Sequence, residues 1–428
     1  MILLILLCTA VIIFGTRRQA GYLKLPVLVA VLYLLWFLPQ IASLSNDISV
    51  PGSGYNRLIL MMSVCLVALW LGWHQKARAV PMPPPIDFNK MVLPTLALTI
   101  ASVGINLLLA RYRAEWSGGQ QWSGPITIVA FFAQIREVAL VVSLLLFLQL
   151  RDRRSFVLLA ANLAITLPIA MVFLRRSEMI GLIAALICAY WFARRKTISP
   201  PILAVFGVGL VIVVYVIGPL RGVSLYIEQT TGERPLLIDP VLWSNIDIEA
   251  TIARNLEKAH DVRNALYVID YTAEHWSYNF GLSLWNGFVR LYIPGQILGA
   301  DFKQSLFFEQ ARNVFEDIHL VYSFDFAVGT TSTGFGSAFS DFGYMGAIYF
   351  FVMGYVLKIM FVRGQAGFIW AQVAYMCFLP KVLVSFTHGH DKFFVSIPFL
   401  LVVILSLRAI SKYHFRLGAP RVQRRSNL

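Results

Sequence analysis

Charge is scarce in this sequence. Of 428 residues only 14% are Asp, Glu, Lys or Arg, against roughly a quarter in soluble domains. With 58% apolar residues as well, the chain has too little polar surface to wrap one soluble core. Cysteine is equally sparse. Cys8, Cys65, Cys188 and Cys377 each fall inside an apolar run and none pair at metal-ligand spacing. That pattern argues against a disulfide framework and a structural zinc site. No nucleotide-binding fingerprint occurs, and the Gly-Lys-Ser/Thr ending of a P-loop is missing. Internal repeats are absent too, which speaks against an inverted-repeat transporter. No basic segment precedes the first apolar stretch; Arg17 and Arg18 follow it. The chain therefore reads as starting with a helix that runs out-to-in, not with a cleaved signal peptide.

What is present is a series of apolar runs, most of about 17–25 residues, the length that crosses a ~30 Å hydrocarbon layer as a helix. The predicted spans are 1–15, 21–43, 58–74, 91–110, 126–150, 156–174, 179–193, 201–219, 342–362, 366–385 and 393–410. The expected fold class is an all-α polytopic membrane protein of about eleven transmembrane helices with one large periplasmic loop. Four regions follow: a bundle over 1–219, the loop over 220–341, further spans over 342–410 and a basic tail over 411–428. The net charge of +14 has a topological explanation. Basic residues gather in alternate short loops, at Arg17/Arg18, Lys76/Arg78, Arg151/Arg153/Arg154, Arg194/Arg195/Lys196, Arg363 and the tail, and positive short loops mark the cytoplasmic side. The N-terminus is then on the non-cytoplasmic side and the C-terminus in the cytoplasm. No nucleic-acid motif accompanies the charge, so no nucleic-acid partner is expected.

The 220–341 segment holds most of the acids and many aromatics. A loop of this length is usually functional or disordered, and its aromatics favour order. Residues 246–275 read as helical. Residues 284–299, apolar but interrupted by Pro294 and Gly295, read as interfacial or re-entrant.

Six constellations have chemical potential. Arg175-Arg176-Ser177-Glu178 forms a basic turn on the outer side, suited to a pyrophosphate because Arg binds phosphate oxygens bidentately; headgroup contact or pairing to Glu178 is the plainer explanation. Arg136-Glu137 lies about ten residues into the fifth span, with Lys381 inside the tenth. Charges in a span default to functional hypotheses, although a structural ion pair serves equally. Adjacent residues do not face each other, so each needs a partner on another helix. Arg254, Lys258 and Asp261 share one helical face in the loop, with Arg263 beside it; a solvated, salt-bridged helix is the commoner case. Arg290 with Pro294, Gly295 and Lys303 suits the mouth of a membrane cavity, or an interfacial anchor. Asp317, His319 and Asp325 precede a small-residue run from Gly329 to Gly346 that contains Asp341. Its glycines permit close approach to a ligand or close helix packing. Thr387-His388-Gly389-His390-Asp391-Lys392 forms a short outer turn, a weak metal motif better suited to proton transfer or phosphate contact, or simply a polar turn. Cations and acids thus concentrate at the outer face, pointing to an anionic, lipid-borne ligand handled without a nucleotide donor.

Four stretches carry a resemblance. Phe173-Leu174-Arg175-Arg176-Ser177-Glu178 opens an apolar helix, and Arg263-Asn264-Ala265-Leu266-Tyr267-Val268 starts a loop helix. Asn279-Phe280-Gly281 runs on to Arg290-Leu291-Tyr292-Ile293-Pro294. The run from Thr331 ends in Asp341-Phe342-Gly343-Tyr344-Met345-Gly346. In these the chain resembles the Wzy-type polysaccharide polymerases, the oligosaccharide repeat-unit polymerases of bacterial inner membranes. The resemblance implies a glycosyltransferase working at the periplasmic face without metal or cofactor. It would transfer a growing glycan from undecaprenyl diphosphate to an incoming lipid-linked unit. Membrane lipid is an expected partner, and a chain-length regulator a further one. It implies pyrophosphate contacts at Arg176, Arg263 and Arg290, supported by Arg175, Arg254 and Lys303, and leaves the general base open among Asp317, His319, Asp341 and His388. A polysaccharide ligase or a lipid-oligosaccharide flippase is the alternative.

Overall fold

The computed structural model describes residues 1–17, 20–45, 47–76, 87–114, 125–173, 176–194, 216–232, 239–244, 259–308, 314–326 and 330–417, with a few isolated positions between 199 and 235. Among these residues every regular element is a helix. In chain order they are α1 (Ile2–Thr16), α2 (Leu25–Leu44), α3 (Gly52–His74), α4 (Val92–Ala114), α5 (Pro125–Phe132), α6 (Ile135–Leu150), α7 (Arg153–Phe173), α8 (Arg176–Arg194), α9 (Ile217–Thr231) and α10 (Pro240–Ser244). Then follow α11 (His260–His275), α12 (Leu282–Tyr292), α13 (Gly295–Leu298), α14 (Ala300–Ser305), α15 (Val314–Tyr322), α16 (Thr333–Phe342), α17 (Ile348–Gln365), α18 (Ile369–Thr387) and α19 (Asp391–Leu417).

Eight helical runs among the described residues are long and apolar enough to cross a membrane: Leu25–Leu44, Gly52–His74, Phe88–Arg111, Ile126–Leu150, Arg153–Met171, Thr333–Gln365, Ile369–Thr387 and Asp391–Ser411. This is a polytopic helical architecture. Three of the eleven expected spans are not among the eight. The first is a 15-residue helix, about 22 Å long at 1.5 Å per residue. α8 has the length but carries Arg176, Glu178 and Arg194 at its ends. The 201–219 span lies largely outside the described residues, as do 246–258 of the expected loop helix.

Two spans depart from the regular helices expected of them. α2 widens into a π-turn at Tyr33–Phe37 just before Pro39; proline has no N–H to give the preceding turn, and the helix relaxes around the loss. The fifth span is not one helix. It breaks at Ala133–Gln134 between α5 and α6, so Arg136 and Glu137 sit in the first turn of a half-helix, not inside a continuous one. Asn106 of α4 reaches toward the break, its Nδ2 3.5 Å from the Ala133 carbonyl.

Small residues let the helices close up. A Cβ at Gly72 would lie 2.1 Å from the Phe351 carbonyl oxygen, and one at Gly354 would lie 2.4 Å from that of Leu69. α3 and α17 therefore cross backbone to backbone. Buried polar side chains join α4 to α7, where Asn162 donates to Thr99 Oγ1 at 2.9 Å. The core between α2, α16, α17 and α18 is aromatic: Tyr33, Phe37, Phe335, Phe350 and Phe386 are buried and mostly meet edge to face, the geometry their quadrupoles favour.

Candidate functional site

One end of the bundle gathers the turns 47–51, 125–127 and 388–390 with the described residues of 259–332, and contacts fix this assignment directly. Tyr267 donates to the Ser49 carbonyl at 3.0 Å, Thr331 to the Thr387 carbonyl at 2.9 Å and Gln296 to Thr127 Oγ1 at 2.9 Å. Helix order then places the basic turns at 151–154 and 363–368 on the opposite end.

α11 docks on this end through paired charges. Arg57, in the first turns of α3, reaches Asp270 Oδ1 at 2.9 Å and Glu274 Oε1 at 2.7 Å. Asp270 also accepts from Ser53 at 3.0 Å and from Tyr322 at 2.9 Å. Arg57 belongs to none of the six constellations. It stands alone in its apolar segment, and only its i, i+4 spacing from Ser53 hinted at a polar face. Tyr322 has its phenol pKa pushed well up, by burial first and then by the Asp270 carboxylate.

Arg263, at the other end of α11, pairs with Asp47 at 2.5 Å. Asp47 has its carboxyl held below the usual range, chiefly by the hydroxyl and amide of Ser49 and further by Arg263. A carboxyl lowered in the folded state contributes stability above its ordinary value of 3.8, which is lost as pH falls through the folded value. Amide protection of α11 should therefore weaken on acidification below that range in hydrogen-exchange measurements. In Asp47→Asn the pH-dependent part should vanish.

The charges of the broken span are paired across helices. Arg136 contacts Glu178 of α8 at 2.8 Å and Asn106 at 3.3 Å. Glu137 accepts from Lys381 of α18 at 2.6 Å. The neighbours thus face different helices, as adjacent residues must. Arg175, Arg254 and Lys258 lie outside the described residues, and Arg176 is placed only as the first residue of α8.

The remaining candidates separate into two groups. His319 and Asp325 contact each other at 2.9 Å and are exposed; Asp317 meets the Tyr271 hydroxyl. His388 is exposed and paired with its neighbour Thr387 Oγ1 at 2.8 Å. Asp341, by contrast, is fully buried, and its partner is His390, 1% exposed, with Nε2 3.0 Å from Asp341 Oδ2. That contact falls short of a straight hydrogen bond. Ser283 donates to Asp341 Oδ1 at 2.6 Å and Tyr349 to Oδ2 at 3.1 Å. The Tyr349 ring stacks on the imidazole at 4.1 Å, and Ser337 Oγ lies 2.9 Å from His390 Nδ1. The sequence offered His390, without setting it apart from His388, only as part of an outer turn suited to proton transfer or phosphate contact. Its link to Asp341, 49 positions away, has no local signal.

Two of the resembling stretches dock on each other here. The amides of Asn279 and Phe280 donate to the carbonyls of Ser340 and Asp341 at 2.8 and 3.0 Å, and Phe280 packs edge-on against Phe342. Gly343, at φ +58°, turns the chain from α16 toward α17 with Tyr278 close against it. This docking aims α12 so that Ser283 reaches Asp341.

Seven residues on from Ser283, and so on the same face of α12 about 10 Å further, lies Arg290. Lys303 of α14 donates to the Arg290 carbonyl at 3.0 Å. Burial and the Arg290 charge lower the Lys303 pKa from its ordinary value. Among the described residues no carboxylate pairs with either side chain. Around them Trp285, Ile297, Leu298, Phe302 and Phe308 are exposed, a surface suited to the lipid interface.

No family model, no curated protein and no solved structure matches this chain.

Proposed function

We propose that this protein is a membrane glycosyltransferase that polymerises lipid-linked oligosaccharide repeat units, moving a growing glycan from a polyprenyl diphosphate carrier, undecaprenyl diphosphate in a bacterial inner membrane, onto an incoming unit. The observation that carries this reading is the layout of α12. At one end its Ser283 engages a buried carboxylate–imidazole pair; at the other, Arg290 and Lys303 form a cation pair without a counter-acid among the described residues. A lipid diphosphate needs cations at the interface to stabilise the charge that develops as the glycosidic bond breaks, and the acceptor hydroxyl needs a base within reach. Both sit at the end opposite the basic turns, and the charge rule supports a periplasmic site with the C-terminal tail in the cytoplasm. The tightly paired Arg57, Arg263 and Arg136 then serve to hold α11 and the bundle, leaving Arg290 and Lys303 for the diphosphate.

Deleting the gene, or replacing both cations in Arg290→Gln/Lys303→Gln, is expected to leave single lipid-linked units and few long chains, with turnover down by about 10²-fold or more. Loss of a flippase would trap units on the cytoplasmic face, and loss of a ligase would leave long chains on the carrier. Either pattern, or normal chain length in the double variant, contradicts the proposal.

A further inference from the structure

The buried pair His390–Asp341 is sealed from solvent, while its contacts Ser283, Ser337 and Tyr349 are each partly exposed; of the three, Ser337 is the one whose hydroxyl lies on His390 Nδ1. Its hydroxyl has two acceptors, the Gly334 carbonyl at 3.2 Å and His390 Nδ1 at 2.9 Å. Three groups converge on the Asp341 carboxylate: Ser283 on one oxygen, Tyr349 and His390 on the other. With its proton on Nε2, facing Asp341, the imidazole presents the Nδ1 lone pair to Ser337. The same neutral tautomer gives the carboxylate a role, because it stabilises the imidazolium that forms when Nδ1 takes a proton.

We infer that Ser337, His390 and Asp341 form a proton relay that activates the acceptor sugar hydroxyl, with Ser337 as the group that touches substrate. This rests on the transferase reading above. As the acceptor oxygen bonds to the anomeric carbon, the bond from that carbon to the diphosphate oxygen breaks and the diphosphate leaves with the electron pair. The acceptor proton passes to Ser337 Oγ while the serine's own proton moves to His390 Nδ1. The imidazolium rests against Asp341 until product leaves and the proton returns to water. The other charged or titratable groups nearest the imidazole are the stacked Tyr349 and the adjoining Asp391, which pairs with Lys392 at 3.0 Å. Asp391 also packs against Gly389 and Gly287, and so belongs to the support of the turn.

The test uses the full chain reconstituted in vesicles, supplied with lipid-linked units extracted from cells lacking the gene. His390→Gln is expected to cut turnover by about 10²–10³-fold and to abolish the acidic fall-off of kcat/KM, since no imidazole remains to be protonated. Asp341→Asn should lower turnover with the fall-off shifted, and Ser337→Ala should lose about tenfold, because water fits where the hydroxyl was. Melting temperature and yield of each variant separate folding from chemistry. Wild-type turnover in His390→Gln, or reduced turnover with the acidic limb unchanged, overturns the relay. Covalent labelling of Ser337 by a fluorophosphonate would reveal a nucleophilic serine and overturn it as well. Failure of the wild-type protein to lengthen the units is a different result, which removes the transferase reading and the relay together.

Discussion

Replacing Lys381 by Met will destabilise the bundle by about 3 kcal/mol. Lys381 Nζ is 2.6 Å from Glu137 Oε1, inside an apolar helix and beside a break in another. Removing the ammonium leaves the carboxylate without its partner, and an unpaired charge in such surroundings costs more than the pair contributes. The second substitution decides the cause. Glu137→Gln in the Lys381→Met background removes the stranded charge and should recover most of the loss, whereas additive effects would mean that the two side chains act independently. Thermal melts of the detergent-solubilised protein, read by intrinsic fluorescence, give both numbers. A single variant that melts like wild type would show that Glu137 does not depend on Lys381 and would refute the argument.

A methyl group at Gly334 will have a comparable or larger effect. Its Cβ would lie 1.9 Å from the carbonyl oxygen of Ser385, a backbone atom that cannot rotate away, so α16 and α18 must separate. Overpacking of this kind costs about 1–3 kcal/mol, and more when backbone has to move. Gly334 is one turn from Ser337, so Gly334→Ala should also lose activity through displaced geometry. Gly346→Ala is the parallel case, with Cβ 2.0 Å from the Ala338 carbonyl oxygen. The contrast is Gly104, helical, with open space where its Cβ would stand. Gly104→Ala should stabilise α4 by about 0.5–1 kcal/mol. Equal melting of the Gly334 and Gly104 variants would refute the packing argument.

These glycines show how far the sequence could be followed. The run from Gly329 to Gly346 had two readings, ligand approach and helix packing, and distinguishing them needs the neighbour's position. Gly334, Gly336 and Gly346 all meet other helices or turns of the chain. The charges behaved similarly. That Arg136 and Glu137 need partners on other helices follows from helical geometry alone, but that those partners are Glu178 and Lys381 depends on which helices pack together.

The sequence by itself determined the class of the molecule, the placing of most spans and the end at which acids and aromatics collect. These follow from composition and from the length of apolar runs, quantities that lipid and water read locally along the chain. It could not determine the break at Ala133–Gln134, since a helix interrupted by two residues keeps the same hydropathy as an intact one. Nor could it single out Asp341 from the other acids, or choose His390 over His388 two positions earlier. Only the tertiary structure decided these. Burial and partnership are properties of the space between α12, α16, α17 and α19; positions 337 and 341 lie one turn apart on α16, but the side chains that join them there come from positions 283 and 390, too far along the chain for any local pattern to supply.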